Sequence, residues 1–193
     1  MQLSGCMALK ELQAGNERFV KGEARHPDQT EWHRQQLTGS QSPSAVVVGC
    51  SDSRVPPSVI FDQGLGFIFE IRTIGHVLGD VELGSIEYAI GQLGTGLVMV
   101  LGHSDCGAVT LAMSEGEVMG HLGSVAKAVR EVAALPGDPP VGSLAEAIEA
   151  NVRGTIAHLI EAMSGLAELA ETKEVMVVGA VYDIGTGEVS VMD

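Results

Sequence analysis

The sequence predicts an α/β fold: a central, mostly parallel β-sheet flanked by helices, with an antiparallel strand at its carboxyl-terminal edge. Three observations carry that expectation. Apolar, β-branched runs at Ala45-Val46-Val47-Val48-Gly49, Leu97-Val98-Met99-Val100-Leu101-Gly102 and Val175-Met176-Val177-Val178-Gly179-Ala180-Val181-Tyr182 read as strands of a buried parallel sheet. The stretches that follow the first two are patterned as helices. The last run is followed by a turn at Gly185-Thr186-Gly187 and a short partner from Glu188 to Met192, the pattern of an edge hairpin.

The elements follow in order. Residues Ala8 to Lys21 place Leu9, Leu12, Phe19 and Val20 near one helical face, leaving Lys10, Glu11, Glu17 and Arg18 for solvent. A polar stretch from Gly22 to Ser44 holds Trp32 and a second short helix around Glu31 to Leu37. Pro56-Pro57 ends the loop after the first strand and suits the opening turn of a helix through Phe61. Gly66 to Arg72 alternates as a strand, and Gly79 to Leu93 is helical, with Val81, Ile86, Ala89, Ile90 and Leu93 apolar. A helix begins after Leu97–Leu101, near Asp105 to Val109, with Asp105 as its cap. Helical segments between Gly120 and Ala170 are broken at Pro136-Gly137-Asp138-Pro139-Pro140. Residues 1–44 therefore read as a helical arm and 45–193 as the α/β body, one structural domain in all, as 193 residues suggest.

Composition narrows the function. Hydrophobic residues make up 45% of the chain but aromatic ones only 4%, so aliphatic side chains build the core. That surplus on a small chain predicts burial against another subunit, with the amino-terminal helices packing on it. Asp and Glu number 25 against 11 Lys and Arg, a formal charge of −14, which reverses the phosphate attraction and argues against nucleic acid or anionic membrane as partner. No stretch approaches the roughly 20 apolar residues of a membrane span. Cys6, Cys50 and Cys106 form no disulfide framework, which fits a reducing, cytoplasmic compartment. Leu3-Ser4-Gly5-Cys6 has the order of a lipoprotein cleavage box without a basic, apolar leader before it. It is read as coincidence, and Cys6 as a small core hydrophobe.

The chemistry sits after the first and third strands. Cys50-Ser51-Asp52-Ser53-Arg54 follows one, His103-Ser104-Asp105-Cys106 the other. Neighbouring parallel strands bring both strings to the same carboxyl edge, where open α/β sheets build their sites. Two thiolates and an imidazole are the donors of a zinc ion with an open fourth position, one ion per chain. Asp52, two residues past a ligand, is placed to orient a metal-activated water, and Arg54 to clamp that carboxylate through a bidentate pair.

With these motifs the sequence resembles a β-class carbonic anhydrase. The likeness rests on Cys50-x-Asp52-Ser53-Arg54-Val55, on Gly102-His103-x-x-Cys106-Gly107-Ala108-Val109 and on the 53-residue separation of the first two ligands. It extends through Phe61-Asp62-Gln63-Gly64-Leu65-Gly66, Arg72-Thr73-x-Gly75-His76, Gly84-Ser85-Ile86-Glu87-Tyr88-Ala89 and Val178-Gly179-Ala180-Val181-Tyr182. The resemblance implies a lyase (carbonate dehydratase) that hydrates carbon dioxide reversibly to bicarbonate by attack of a zinc-bound hydroxide. It implies a homodimer as the smallest unit, with a homotetramer as a larger form. Cys50, His103 and Cys106 would bind zinc, Asp52 and Arg54 would orient the nucleophile, and Asp52 would become a fourth ligand in a closed, low-pH state. Gln63 and Tyr88 match substrate-pocket positions, often reached across the dimer interface, and Gly107 would offer a backbone N–H. Phe67 and Ile74 depart from the family's usual acidic residue and alanine, close to the pocket.

Rival readings remain. The scaffold could hydrolyse carbonyl sulfide or carbon disulfide, or bind zinc or bicarbonate without turnover. A metal-free Cys nucleophile with His103 as base is a third reading. His76 is open between a proton shuttle and a structural hydrogen bond.

Overall fold

The computed structural model describes residues 3–114, 118–135, 142–163, 165–172 and 174–192. Five strands form one sheet in the order β2-β1-β3-β4-β5: β1 Ala45–Cys50, β2 Ile68–Thr73, β3 Leu97–His103, β4 Met176–Tyr182 and β5 Val189–Val191. The first four are parallel to their neighbours and β5 alone runs antiparallel, on β4. Helices α1 Gly5–Val20, α2 Glu31–Gln36, α3 Pro57–Ile60, α4 Asp80–Gly91, α5 Gly107–Met113, α6 His121–Val132, α7 Leu144–Ala162 and α8 Leu166–Glu171 surround it. The expected break at 136–140 lies outside the described residues.

Every residue of β1 and β3 is buried. Alternation then divides their side chains between two apolar layers. Val47, Leu97, Met99 and Leu101 join α1, α3 and α5 on one side, and Val46, Val48, Val98 and Val100 join α4, α7 and α8 on the other. The register Gly49↔Leu101 brings the carboxyl ends of these strands level. Gly102 is required there, because a Cβ would stand 2.6 Å from the Val152 Cγ2 of α7.

Three expectations change in detail. Leu12 of the expected face of α1 is buried and Leu9 and Phe19 are partly buried against the core, but Val20 is exposed and the other buried residues are Gly5, Ala8, Gly15 and Asn16. Small residues win because the helix lies against the chain's own backbone: a Cβ on Gly15 would run into the Phe61 carbonyl. Asn16 ties α1 to the rest of the chain, donating to the carbonyls of Ile60 (3.2 Å) and Gly187 (2.9 Å) and accepting from Val189 N. On that side the amino-terminal helix packs on its own subunit. By contrast α2 has no buried residue, and its Trp32 is 68% exposed. Cys6 is exposed rather than in the core. Asp105 does not cap α5: the cap position is Cys106, with no side-chain cap bond, and Asp105 adopts φ +53°. No helix among the described residues is long and apolar enough to cross a membrane.

Candidate metal centre

Cys50 is the last residue of β1, His103 the last of β3, and Cys106 immediately precedes α5. All three are buried, and their ligand atoms lie within 4.8 Å of one another. The imidazole is oriented by its neighbour: His103 Nδ1 sits 2.8 Å from the Ser104 carbonyl, so that nitrogen donates. His103 Nε2 is left as a lone pair in the interior, and among the described residues it is the buried side-chain polar atom without a hydrogen-bond partner. An unpartnered buried acceptor is costly. Pointing one at two sulfurs is what a tetrahedral metal ion with N and S donors requires.

The sulfurs show the same pressure. Chiefly through the Cys106 S–H, against burial and with help from the Gly75 N–H, the Cys50 thiol is pulled well below its ordinary value. Cys106 is pushed up, first by the Cys50 sulfur and then by burial. Two thiols this close share a proton, and a cation would replace it. The Gly75 N–H lies 3.3 Å from Cys50 Sγ.

Asp52 stands outside this cluster and on Arg54. Arg54 Nε donates to Oδ1 at 2.9 Å, Nη2 to Oδ2 at 2.7 Å, and the Arg54 backbone N–H to Oδ1 at 2.9 Å. These bonds, Arg54's side chain foremost, hold the Asp52 carboxyl well below the usual carboxylate range. Arg54 also reaches the Asp105 carbonyl at 3.3 Å, stitching the two ligand loops together.

The remaining candidates are dispersed. Gln63 is buried, with Nε2 donating to the carbonyls of Phe61 (3.0 Å) and Glu11 (3.3 Å) rather than reaching the cluster. Tyr88 is half exposed on α4. Gly107 opens α5, with open space where a Cβ would sit. Phe67 packs against the core and Ile74 is exposed. His76 is buried, its pKa lowered by burial to about 4. It faces Thr155 Oγ1 and Asn151 Nδ2, each at 3.2 Å. That geometry is the structural hydrogen bond of the two readings left open.

Sequence reasoning missed the holder of the Cys50 loop. Arg72, on β2, donates from Nε to the Cys50 carbonyl at 3.0 Å and from Nη2 to the Asp52 carbonyl at 2.6 Å. Its only sequence signal was membership of the Arg72 to His76 string. Ser104 was also overlooked: its Oγ accepts from Ile184 N at 2.9 Å, fixing the turn that presents His103.

Fold and geometry define an α/β protein with a Cys–His–Cys pocket at the carboxyl edge of its sheet. The carbonic anhydrase family matches residues 45–189. The chain is 39% identical over 190 residues to carbonic anhydrase 2 of Mycobacterium tuberculosis strain H37Rv, covering 96% of this chain and 92% of that one. A Coccomyxa β-carbonic anhydrase solved in complex with acetazolamide superposes with a TM-score of 0.72 at 26% identity, covering 95% and 86% of the two chains. A tetrameric β-carbonic anhydrase of Sordaria macrospora shares the fold, with a TM-score of 0.68 at 24% identity over 95% and 96%. The chain belongs to the carbonic anhydrase family, in its β class.

Proposed function

We propose that this protein holds one zinc ion per chain on Cys50, His103 and Cys106 and uses it to interconvert carbon dioxide and bicarbonate. The observation that carries the proposal is the unpartnered Nε2 of buried His103, with two buried cysteine sulfurs within 4.8 Å of it. When bound, the ion lowers the pKa of a water molecule from ~15.7 toward neutrality. Two thiolates cancel its charge and make it a milder Lewis acid than zinc held by three imidazoles.

In this reading Asp52 and Arg54 act together. Arg54 keeps the carboxylate ionised and off the metal. Oδ1 accepts two bonds from Arg54 but Oδ2 only one, so Oδ2 retains acceptor capacity, and through it Asp52 accepts a hydrogen bond from the attacking oxygen and fixes its direction. At low pH, loss of the Arg54 clamp would free Asp52 to become a fourth ligand. Gly107 would offer its backbone N–H to the substrate. Gln63 Nε2 is occupied by two carbonyls, so a substrate role falls to Oε1. Gln63 and Tyr88 would serve the metal centre of a neighbouring subunit.

The working unit in this proposal is a homodimer or a homotetramer in the cytoplasm. Exposed Val59, Leu65, Ile74, Val81 and Tyr88 lie on or beside the elements flanking edge strand β2, and such a surface favours a partner. The tetrameric Sordaria structure gives the same direction. Residues 1–44 would form the arm and 45–193 the catalytic body, a division supported by the family match beginning at 45.

The test is proton release on mixing with carbon dioxide across a pH series, with zinc quantified in the same sample. Near-stoichiometric zinc with rapid hydration is expected. Stoichiometric zinc without hydration at alkaline pH would leave only a binding protein.

A further inference from the structure

The Gly75 N–H that meets Cys50 Sγ belongs to a residue that needs holding. Gly75 has φ +64° and ψ 22°, a left-handed conformation that glycine adopts readily. A Cβ there would stand 2.7 Å from Ala108 Cβ and 3.3 Å from Val129 Cγ2. The freest residue type therefore supports a metal-ligating sulfur, and something must remove that freedom. The chain does so from α7. Asn151, 1% exposed, donates from Nδ2 to the Gly75 carbonyl at 3.2 Å and lies 3.2 Å from His76 Nε2.

The protons of this cluster can be assigned. A carbonyl only accepts, so the Asn151 atom facing Gly75 is the amide nitrogen, and His76 Nε2 beside it must be an acceptor. His76 then carries its proton on Nδ1 and donates to Thr155 Oγ1 at 3.2 Å, one helical turn along from Asn151. Asn151, Thr155 and His76 are all buried. The same helix is seated on β3, with Val152 against Gly102 beside His103.

We infer that Asn151 and Thr155 are positioning residues of the metal centre: through Gly75 and the fixed tautomer of His76 they hold an N–H on Cys50 Sγ. This rests on the proposed metal site. A hydrogen bond to a metal thiolate withdraws charge from the sulfur and sets how strongly it donates. Outer-shell groups of this kind change metal affinity or activity by about 10–100-fold when removed. Loss of the Thr155 hydroxyl would release His76 to its other tautomer and set two donors face to face at Asn151.

The test uses the full metal-loaded chain with Asn151→Ala, Thr155→Val and, as a packing control, Leu159→Ala on the same helix. One readout is zinc release to a chromophoric chelator. The other is the sulfur-to-metal charge-transfer band of the cobalt(II)-substituted protein. Asn151→Ala should release zinc about 10–100-fold faster and move the band to lower energy. Thr155→Val should do the same to a smaller degree, whereas Leu159→Ala should lower the melting temperature and leave the band in place. If Asn151→Ala does not fold, Thr155→Val decides by the same readouts. Folded variants whose band and release rate match the unaltered chain would overturn the inference alone. An unaltered chain that takes up no metal would overturn it together with the proposed function.

Discussion

The two central strands and the two that flank them are built differently. All of β1 and β3 is buried, and each ends in a residue of the candidate metal cluster. In β2 only Ile71 is buried, and in β4 only Gly179, Ala180 and Tyr182 are, the rest being partly buried. The flanking strands contribute backbone and second-layer contacts instead: Arg72 of β2 grips the Cys50 loop, and the Tyr182 carbonyl of β4 accepts from Ser104 N. Two of the three proposed ligands thus stand at the ends of the most buried strands, and their supports on the strands beside them. Sites on rigid elements hold their geometry more closely than sites on loops.

The sharpest way to break this comparison is to remove a ligand. His103→Ala should eliminate bound metal and carbon dioxide hydration together, as read by metal analysis and stopped-flow proton release. Retained metal with lost activity would move the donor set elsewhere. The next effect is on stability. Leu101→Ala in β3, 2% exposed, should cost about 2–5 kcal/mol, whereas Val178→Ala in β4 should cost about 1 kcal/mol in chemical denaturation. Equal costs would erase the distinction between the strands.

A smaller effect concerns the support itself. The Asp52 carboxyl lies below its ordinary value of 3.8 because Arg54 binds its charged form. Any stability from the pair is therefore present above that ordinary value and lost as pH falls through the depressed one. Arg54→Ala should return Asp52 toward the ordinary value, move the acid edge of activity to higher pH, and lower alkaline turnover by about 10–100-fold. An unchanged pH profile would make the pair a surface contact.

Much of the fold was legible because central strands announce themselves: Ala45–Gly49 and Leu97–Gly102 are apolar without interruption, and the Gly185–Gly187 turn marks the hairpin. The candidate cluster was legible for the same reason, since Cys50 and His103 end those runs and Cys106 lies three residues past His103. What the sequence hid depends on long-range partners. The apolar spacing of α1 shows that it has a buried face but not which surface receives it. Only the fold brings Gly15 onto Phe61 and Asn16 onto Gly187. Likewise Asn151 is 76 positions from Gly75, and nothing in either local string signals the pairing. Asp105 looked like a helix cap from its position alone, but its positive φ turns the chain so that its carbonyl meets Arg54 instead.

The central claim is that Cys50, His103 and Cys106 share one metal ion with a corner left for solvent. X-ray absorption at the zinc edge of the loaded protein addresses it directly. Two sulfurs at about 2.3 Å with two lighter donors at about 2.0–2.1 Å is the predicted result. A first shell without sulfur, or one unchanged in Cys50→Ser and Cys106→Ser, would contradict it.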